Sequence, residues 1–235
     1  MSGIDVQFIP LDDYINENSP EGLAFANGII YIAEQGTYRV HLFTYPSFKH
    51  QGYIALSSNY PHPAGLRVFR NHLYVVDYTN GRYGDYNLST SLFDYESSNG
   101  WIPGASGLAL APTFTARTTF ISWHWSYAEY YRFSREATGK QTIVLPNNTG
   151  LVGVQDILTT PRGNLILVYD LQDATGFILW DPNSDKIEAI WKCTDIKPPE
   201  GADIISIRKR RVIVGKEGQL NQRQGVIIID GFPLL

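Results

Sequence analysis

The chain has 235 residues, of which 43% are hydrophobic, 18% are charged and 13% are aromatic. This composition is typical of a folded domain rich in β-forming residues, and the length suits a single all-β domain over residues 1–235. A formal net charge of −4 gives no positive field over the molecule, so we expect neither a nucleic acid nor a membrane as a partner.

Cys193 is the single cysteine, which excludes an intrachain disulfide and the usual cysteine-based zinc sites. Residues 1–7 lack the basic and apolar segments of a secretory signal, and no apolar run is long enough to span a bilayer. The sequence therefore predicts a soluble protein, and a lone cysteine without a signal peptide favours the cytoplasm.

Taken in order, residues 1–11 alternate apolar and polar side chains and predict a strand, and the polar run 12–18 predicts a loop. A strand opening then recurs about every 40 to 50 residues, which is the spacing of a repeated four-stranded unit. The five openings start near residues 21, 64, 106, 154 and 200. Sustained helical periodicity is absent from the sequence, so almost no helix is expected.

Each opening is followed by further runs of β character. Second strands are predicted at residues 29–33, 72–77, 119–123, 164–169 and 211–215, third strands at 38–45, 86–95, 128–134, 177–181 and 226–230, and fourth strands at 52–56, 141–145 and 186–191. The pattern does not place the fourth strand of the second unit, and the fifth unit is one strand short.

Repeated four-stranded units predict a β-propeller, in which neighbouring blades bury the faces that one blade cannot bury alone. Because the strand at 1–11 has no partner, we expect it to complete the last blade and close the ring. The prediction is an all-β propeller of five four-stranded blades. A six-bladed ring completed in another way and an open sandwich with accidental periodicity are the alternatives.

Residues 30–43 and 73–82 resemble the NHL repeat, in which a strand ends in an acidic residue and a short loop leads through Arg into the next strand. Pro20-Glu21-Gly22 also resembles the opening of the SMP-30/gluconolactonase group. That resemblance implies a six-bladed propeller and a calcium- or zinc-dependent lactone hydrolase in which Glu21 is a metal ligand. The corresponding positions in later units hold Ala64, Ser106, Val154 and Glu200, so only Glu21 and Glu200 match a ligand position.

In a propeller, the loop into each innermost strand and the loop after each second strand lie on one face. Acidic residues at these positions are therefore expected around the channel mouth, where oxygen-rich clusters suit calcium. The candidate metal ligands are Glu21, Glu200, Glu34, Asp77 and Asp170, with Glu217 as a weaker candidate. Without a metal, two close carboxylates form an acid/base pair, or the strand-end acids accept hydrogen bonds from loop amides or pair with Arg39 and Arg82.

The third unit carries an aromatic-rich segment at residues 123–133. Exposed rings there predict a platform for a sugar or another ligand with an apolar face. The candidate ligand-binding residues are Trp123, His124, Trp125, Tyr127 and Tyr130. The alternative is that alternate rings, Tyr131 and Phe133 above all, fill the space between blades and that His124 is a packing residue. His41, His50, His62 and His72 show no metal-ligand spacing.

The basic run at residues 208–211 lies between two predicted strands and indicates a solvated hairpin turn. Three functions remain open. The leading hypothesis is a binding module that presents one loop face to a protein or carbohydrate partner. The alternatives are a metal-dependent lactonase or esterase-like hydrolase with calcium or zinc, and a structural component of a larger assembly.

Overall fold

The computed structural model describes residues 5–11, 13–15, 20–110, 119–145, 153–171, 174–184, 186–192, 199–216 and 224–233, with the backbone alone at 119, 170–171, 174–175, 199 and 216. These residues are all-β, as predicted, and none of them lies in a helix. A helix with the length and apolarity needed to cross a membrane is accordingly not found in the described ranges.

Twenty strands lie in the described part of the chain. They are β1 (Asp5–Pro10), β2 (Pro20–Ala26), β3 (Ile29–Glu34), β4 (Arg39–Thr44), β5 (His50–Ala55), β6 (Pro63–Phe69), β7 (His72–Asp77), β8 (Arg82–Asn87), β9 (Leu92–Glu96), β10 (Ala105–Leu110), β11 (Thr119–His124), β12 (Glu129–Ser134), β13 (Gln141–Val144), β14 (Val154–Thr159), β15 (Leu165–Leu171), β16 (Ala174–Asp181), β17 (Lys186–Lys192), β18 (Pro199–Ser206), β19 (Arg211–Lys216) and β20 (Gly225–Asp230).

The strands form five four-stranded antiparallel blades arranged in a ring, which confirms the predicted propeller. Blades one to four are β2–β5, β6–β9, β10–β13 and β14–β17, each in chain order from the axis outwards. Blade five is β18–β19–β20 with β1 outermost, because Asp5 to Pro10 pair antiparallel with Asp230 to Gly225. The N-terminal strand closes the ring, as predicted.

Blade two corrects one strand prediction. Residues 86–95 were expected to form one strand, but β8 ends at Asn87 and β9 begins at Leu92. The side-chain oxygen Oδ1 of Asn87 accepts hydrogen bonds from the backbone N–H groups of Ser89 and Thr90, which turns the chain. The missing fourth strand of the second unit is therefore β9.

The hydrophobic core is divided among the five interfaces between blades. Side chains alternate along each second strand, so that Ile30 and Ile32 of β3 pack towards blade five while Tyr31 and Ala33 pack towards blade two. Each of the five apolar clusters joins side chains of two adjacent blades. Stacking of neighbours thus buries both faces of every blade, which is the physical reason for the ring.

A β-bulge interrupts the pairing at the start of each innermost strand. A bulge re-aims the side chain at the extra residue, here towards the propeller axis. The bulge residues that face the axis are Glu21, Ala64, Ser106, Gln155 and Glu200. The bulges therefore decide which side chains reach the mouth of the central channel.

The position after the bulge residue is glycine in four blades and Asp156 in blade four. A Cβ atom at Gly107 would lie 2.6 Å from Asp156 Cα, and one at Gly201 would lie 2.2 Å from the carbonyl oxygen of Glu21. Neighbouring inner strands therefore approach too closely at these points for a side chain. Asp156 is the exception, and its carboxylate lies buried between inner strands near the axis.

Candidate functional site: a cup at the channel mouth

The inner strands open into a cavity at one end of the channel, which we call the axial cup. Its volume is about 230 Å³. The cup is lined by Glu21, His62, Ala64, Tyr78, Ser106, Trp125, Gln155 and Glu200, which come from all five blades. The floor consists of the five bulge residues, and the walls are His62, Tyr78 and Trp125 from loops next to the strand ends.

Glu21 and Glu200 begin the inner strands of blades one and five, which are neighbours because the ring closes between them. Both side chains line the cup, and Glu200 is buried. Their placement follows the rule that openings of innermost strands share one face. The two carboxylates give the cup an acidic side.

His62 is held by the loop that follows β7. Its backbone N–H donates to Asp77 Oδ2 at 2.6 Å, and its carbonyl oxygen accepts from the backbone N–H of Tyr78 at 2.9 Å. Asp77 also accepts from the backbone N–H of Asn80 at 2.6 Å. Burial raises the pKa of Asp77, while these hydrogen bonds oppose the rise. Asp77 therefore fixes the loop that presents His62 to the cup.

The imidazole of His62 joins blade one to blade two. Gln35 Nε2 lies 3.2 Å from His62 Nδ1, and His62 Nε2 lies 3.3 Å from Glu21 Oε1. Gln35 Nε2 also lies 3.4 Å from His62 Nε2, so the amide contacts both ring nitrogens. The imidazole therefore lies between the Gln35 amide and the Glu21 carboxylate at the cup floor.

Trp125 and Tyr78 form the aromatic side of the cup. Their ring centroids are 6.1 Å apart and the ring planes meet at 89°. The backbone of Trp125 is fixed because its N–H donates to Gly104 O at 2.9 Å and its carbonyl accepts from Gly153 N at 2.8 Å. Its side chain keeps 40% of its surface exposed. The two rings therefore stand as a corner beside the carboxylates.

Three charged residues lie deeper along the axis. Arg67 Nη1 donates to the carbonyl oxygens of Leu23 at 3.0 Å and Ala202 at 3.3 Å, and Nη2 donates to that of Ile157. The guanidinium also lies 3.7 Å from both Asp156 and Asp203. Arg67 therefore bonds to blades one, four and five from its own place in blade two.

The two aspartates extend this network. Asp156 Oδ2 accepts from the backbone N–H of Ala202 at 2.8 Å, and Asp203 Oδ2 accepts from that of Phe25 at 2.7 Å. Burial raises the pKa of Asp156 to about 7 and also raises the pKa of Asp203, although Arg67 opposes both shifts. The axis beneath the cup is thus filled by a polar network that bonds adjacent blades to one another.

Glu34 and Asp77 lie outside the cup lining. Both are fully buried. Glu34 Oε2 accepts from Thr37 Oγ1 at 2.6 Å and lies 3.1 Å from His41 Nε2, so it holds the β3–β4 turn as Asp77 holds the next blade's turn. These contacts match the turn-holding alternative, although neither acid pairs with Arg39 or Arg82 in the described structure. The side chain of Asp170 and all of Glu217 lie outside the described part of the chain.

The aromatic candidates separate into two groups. Trp123 and Tyr130 are buried and pack against Trp180 between blades three and four, with ring centroids 5.3 and 5.2 Å away. Trp125 lines the cup, whereas Tyr127 is 62% exposed and lies outside its lining.

His124 is also buried. Its Nδ1 accepts from the backbone N–H of Ser126 at 3.1 Å, and burial lowers its pKa. His124 therefore makes the contacts of a packing residue.

Sequence reasoning missed three lining residues, His62, Tyr78 and Gln155. The bulge in blade four places Gln155 at the position that the sequence comparison gave to Val154, because the repeat was aligned one residue early. Tyr78 directly follows an acidic strand end, and His62 precedes the Pro that opens β6, as Ser19 precedes Pro20. Both residues lie in loops that a propeller places on one face, so the neighbours of the acidic candidates on that face would have included them.

The cup does not match a protein-only metal site among the described residues. The one group of three possible ligands with atoms within 4.8 Å of each other there is His72, Asp85 and Asp94, in blade two and outside the cup. Arg135 Nε donates to Asp85 Oδ2 at 3.0 Å, and its Nη2 lies 3.1 Å from His72 Nε2, so a cation already fills that group. Glu21, Glu200 and His62 share the cup, but their ligand atoms do not all lie within 4.8 Å of one another.

No protein-family model and no curated protein matches the sequence significantly. Solved structures do match. Glutaminyl cyclase of Myxococcus xanthus superposes with a TM-score of 0.70 at 10% identity, covering 97% of this chain and 96% of that one.

Two other structures match less closely. A luciferin-regenerating enzyme gives a TM-score of 0.65 at 10% identity, covering 98% and 96% of the two chains. Hydrazine synthase of Kuenenia stuttgartiensis gives a TM-score of 0.58 at 14% identity. The match covers 86% of this chain and 56% of the hydrazine synthase chain. At these identities the likeness concerns the fold alone, and it supports the conclusion that this chain is a β-propeller.

Proposed function

We propose that this protein is a ligand-binding β-propeller whose small-molecule site is the axial cup. The observation that carries the proposal is that one concave cavity brings together two carboxylates, a histidine and two aromatic rings from different blades. Binding sites are usually preformed cavities of this kind, with apolar walls and a few placed polar groups. The polar network beneath the cup supports the proposal further, because it keeps the floor rigid.

A fragment screen by saturation-transfer difference NMR tests the proposal. We expect fragments that bind the wild-type protein to lose their signal with Trp125→Ala, which removes a wall of the cup. Tyr127→Ala is the matched control, since Tyr127 lies two residues away and outside the lining, and its hits should persist. Fragments that bind Trp125→Ala as well as the wild type, or a screen in which no fragment binds the wild type, would contradict the proposal.

A second candidate function is acid–base catalysis in the same cup. It is favoured by the 3.3 Å contact between Glu21 Oε1 and His62 Nε2, because a paired carboxylate and imidazole can move a proton to and from a bound ligand. The three similar structures reported above are all named as enzymes, a glutaminyl cyclase, a luciferin-regenerating enzyme and a hydrazine synthase. A ligand from the screen that the wild type converts, and that His62→Ala binds without converting, would support this candidate.

The metal-dependent lactonase predicted from the sequence has less support from the cup, for the reason given above. Calcium and zinc titrations test it directly, since a metal bound to the folded state raises the melting temperature. A melting temperature that rises in millimolar calcium for the wild type, but not for Glu21→Gln, would support the lactonase. A role in a larger assembly, with a protein partner, is tested by the mass of the protein in solution.

A further inference from the structure

We propose that the ligand of the axial cup is a small organic cation, an ammonium group with short apolar substituents. This inference rests on the proposed function and adds the chemical class of the ligand. Three features of the cup carry the inference: the charge of its lining, the position of Glu21 and the arrangement of the two rings.

The charge balance favours a cation. Two carboxylates, Glu21 and Glu200, line the cup, and its described lining contains no lysine or arginine. Water is partly excluded from such a site, so a negative potential acts on a ligand more strongly there than it would at an open surface. An anionic ligand is disfavoured by the same potential.

Glu21 is positioned to receive the cation. His62 Nε2 holds Oε1 at 3.3 Å, and Oε2 makes no hydrogen bond within the described residues. The carboxylate therefore keeps an acceptor oxygen for a ligand in the cup.

The aromatic corner supplies the second part of the recognition. A ring attracts a cation placed over its face, and aromatic corners of this kind recognise alkylated ammonium groups. Tyr78 and Trp125 meet at 89°, so a cation in the angle between them can contact the faces of both rings. A volume of about 230 Å³ suits a small molecule better than a polymer.

Isothermal titration calorimetry with choline tests the inference, with 3,3-dimethylbutan-1-ol as the matched neutral probe of nearly the same shape. We expect choline to bind at least about 10-fold more tightly than the neutral alcohol. Glu21→Gln should weaken choline about 10-fold and leave the alcohol unchanged, because it removes charge and keeps shape. Trp125→Leu should weaken choline by about 3- to 30-fold.

Tyr127→Leu is the control variant, and its affinity for choline should equal that of the wild type. Circular dichroism confirms that each variant is folded before titration. Equal affinities for choline and the alcohol, or fragments that bind the cup while choline does not, would overturn the cation inference and leave the binding function standing. If no fragment of any charge binds at the cup, both fail.

Discussion

At the scale of single residues, Arg67 makes the contacts that matter most for the integrity of the ring. Its guanidinium bonds to carbonyl oxygens of three other blades. Arg67 is also the positive charge between two buried or half-buried aspartates. Removing one member of a buried charged network leaves the others desolvated without a partner, which costs more than the network contributes.

We therefore expect Arg67→Met to lower the free energy of unfolding by about 3 kcal/mol or more at pH 8. Urea unfolding followed by tryptophan fluorescence measures the change. Arg39→Met is the control, because the Arg39 guanidinium lies 4.5 Å above the ring of the half-exposed Tyr53, and it should cost less than about 1 kcal/mol. Equal stability of the two variants would refute the axial role of Arg67.

Asp156 gives a pH-dependent prediction. Its pKa is raised by burial to about 7 in the folded state, against about 3.9 in an unfolded chain. A carboxyl with a raised folded pKa stabilises the fold fully below the unfolded pKa and loses that contribution as the pH rises through the folded one.

The stability of the wild type relative to Asp156→Asn should therefore fall between about pH 4 and pH 7, by about 1.4 kcal/mol for each unit of pKa difference. Urea unfolding of both proteins across this range measures the difference. A difference that stays constant or grows with pH would contradict this origin of the shift.

At the scale of elements, the β11–β12 hairpin carries a core residue and a cup-lining residue within three positions. Trp123 lies at the inner end of the blade interface and packs against Trp180, whereas Trp125 lies beyond the strand end and lines the cup. Alternation along a strand ends where the strand ends, so the same residue type takes opposite roles. The hairpin therefore offers a matched pair of substitutions.

Trp123→Leu should lower the free energy of unfolding by about 2–4 kcal/mol through the cavity that it leaves, without changing the choline affinity of the folded protein. Trp125→Leu should do the reverse, with a stability change below about 1 kcal/mol and a weaker affinity. Unfolding curves and calorimetry on both variants separate the effects. A loss of affinity in folded Trp123→Leu would count against this division.

Strand β1 closes the ring mainly through its backbone. Five of its six side chains are exposed, so its contribution comes from pairing with β20 and from removing that strand's open edge. Arg211 supports the same blade by binding Asp230 at 2.6 and 2.5 Å through Nε and Nη2, which lowers the pKa of Asp230.

Deleting residues 1–10 should cost about 3–9 kcal/mol, given roughly 0.5–1.5 kcal/mol for each hydrogen bond of six paired residues. It should also promote association through the edge of β20. Urea unfolding and light scattering measure the two effects, and a peptide of residues 1–11 should reverse both. Val6→Ser, at an exposed position of β1, is the control and should change little. A truncated protein that stays monomeric with an unchanged midpoint would show that closure is unimportant.

At the scale of the whole molecule, the fold could be predicted because its signals are periodic. Five openings, the short last unit and an unpartnered first strand together determine the five blades and their closure. The break between β8 and β9 was missed because residues 87–92 contain no glycine or proline, and the turn depends on side-chain hydrogen bonds of Asn87. The local sequence pattern predicts where strands occur, but the turn between β8 and β9 depends on the side chain of Asn87.

The site was predictable to a smaller extent. The shared face of the loops brought Glu21 and Glu200 to one end of the ring, and both line the cup. Trp125, a candidate of the aromatic segment, lines the same cup. The sequence did not distinguish acidic side chains that face the propeller axis from those that are buried in hydrogen bonds to the loops, as Glu34 and Asp77 are. That difference depends on the bulges and on hydrogen bonds of single residues. His62 was missed because its role comes from contacts with two blades rather than from spacing.

Titration of the nitrogen-15-labelled protein with choline, followed through the indole N–H signals of its five tryptophans, tests the central claim most directly. The signal of Trp125 is identified by its loss in Trp125→Phe. We expect it to shift and saturate with choline while the buried Trp123 and Trp180 stay in place. An unmoved Trp125 signal, or equal shifts of all five, would contradict the claim that the axial cup binds an organic cation.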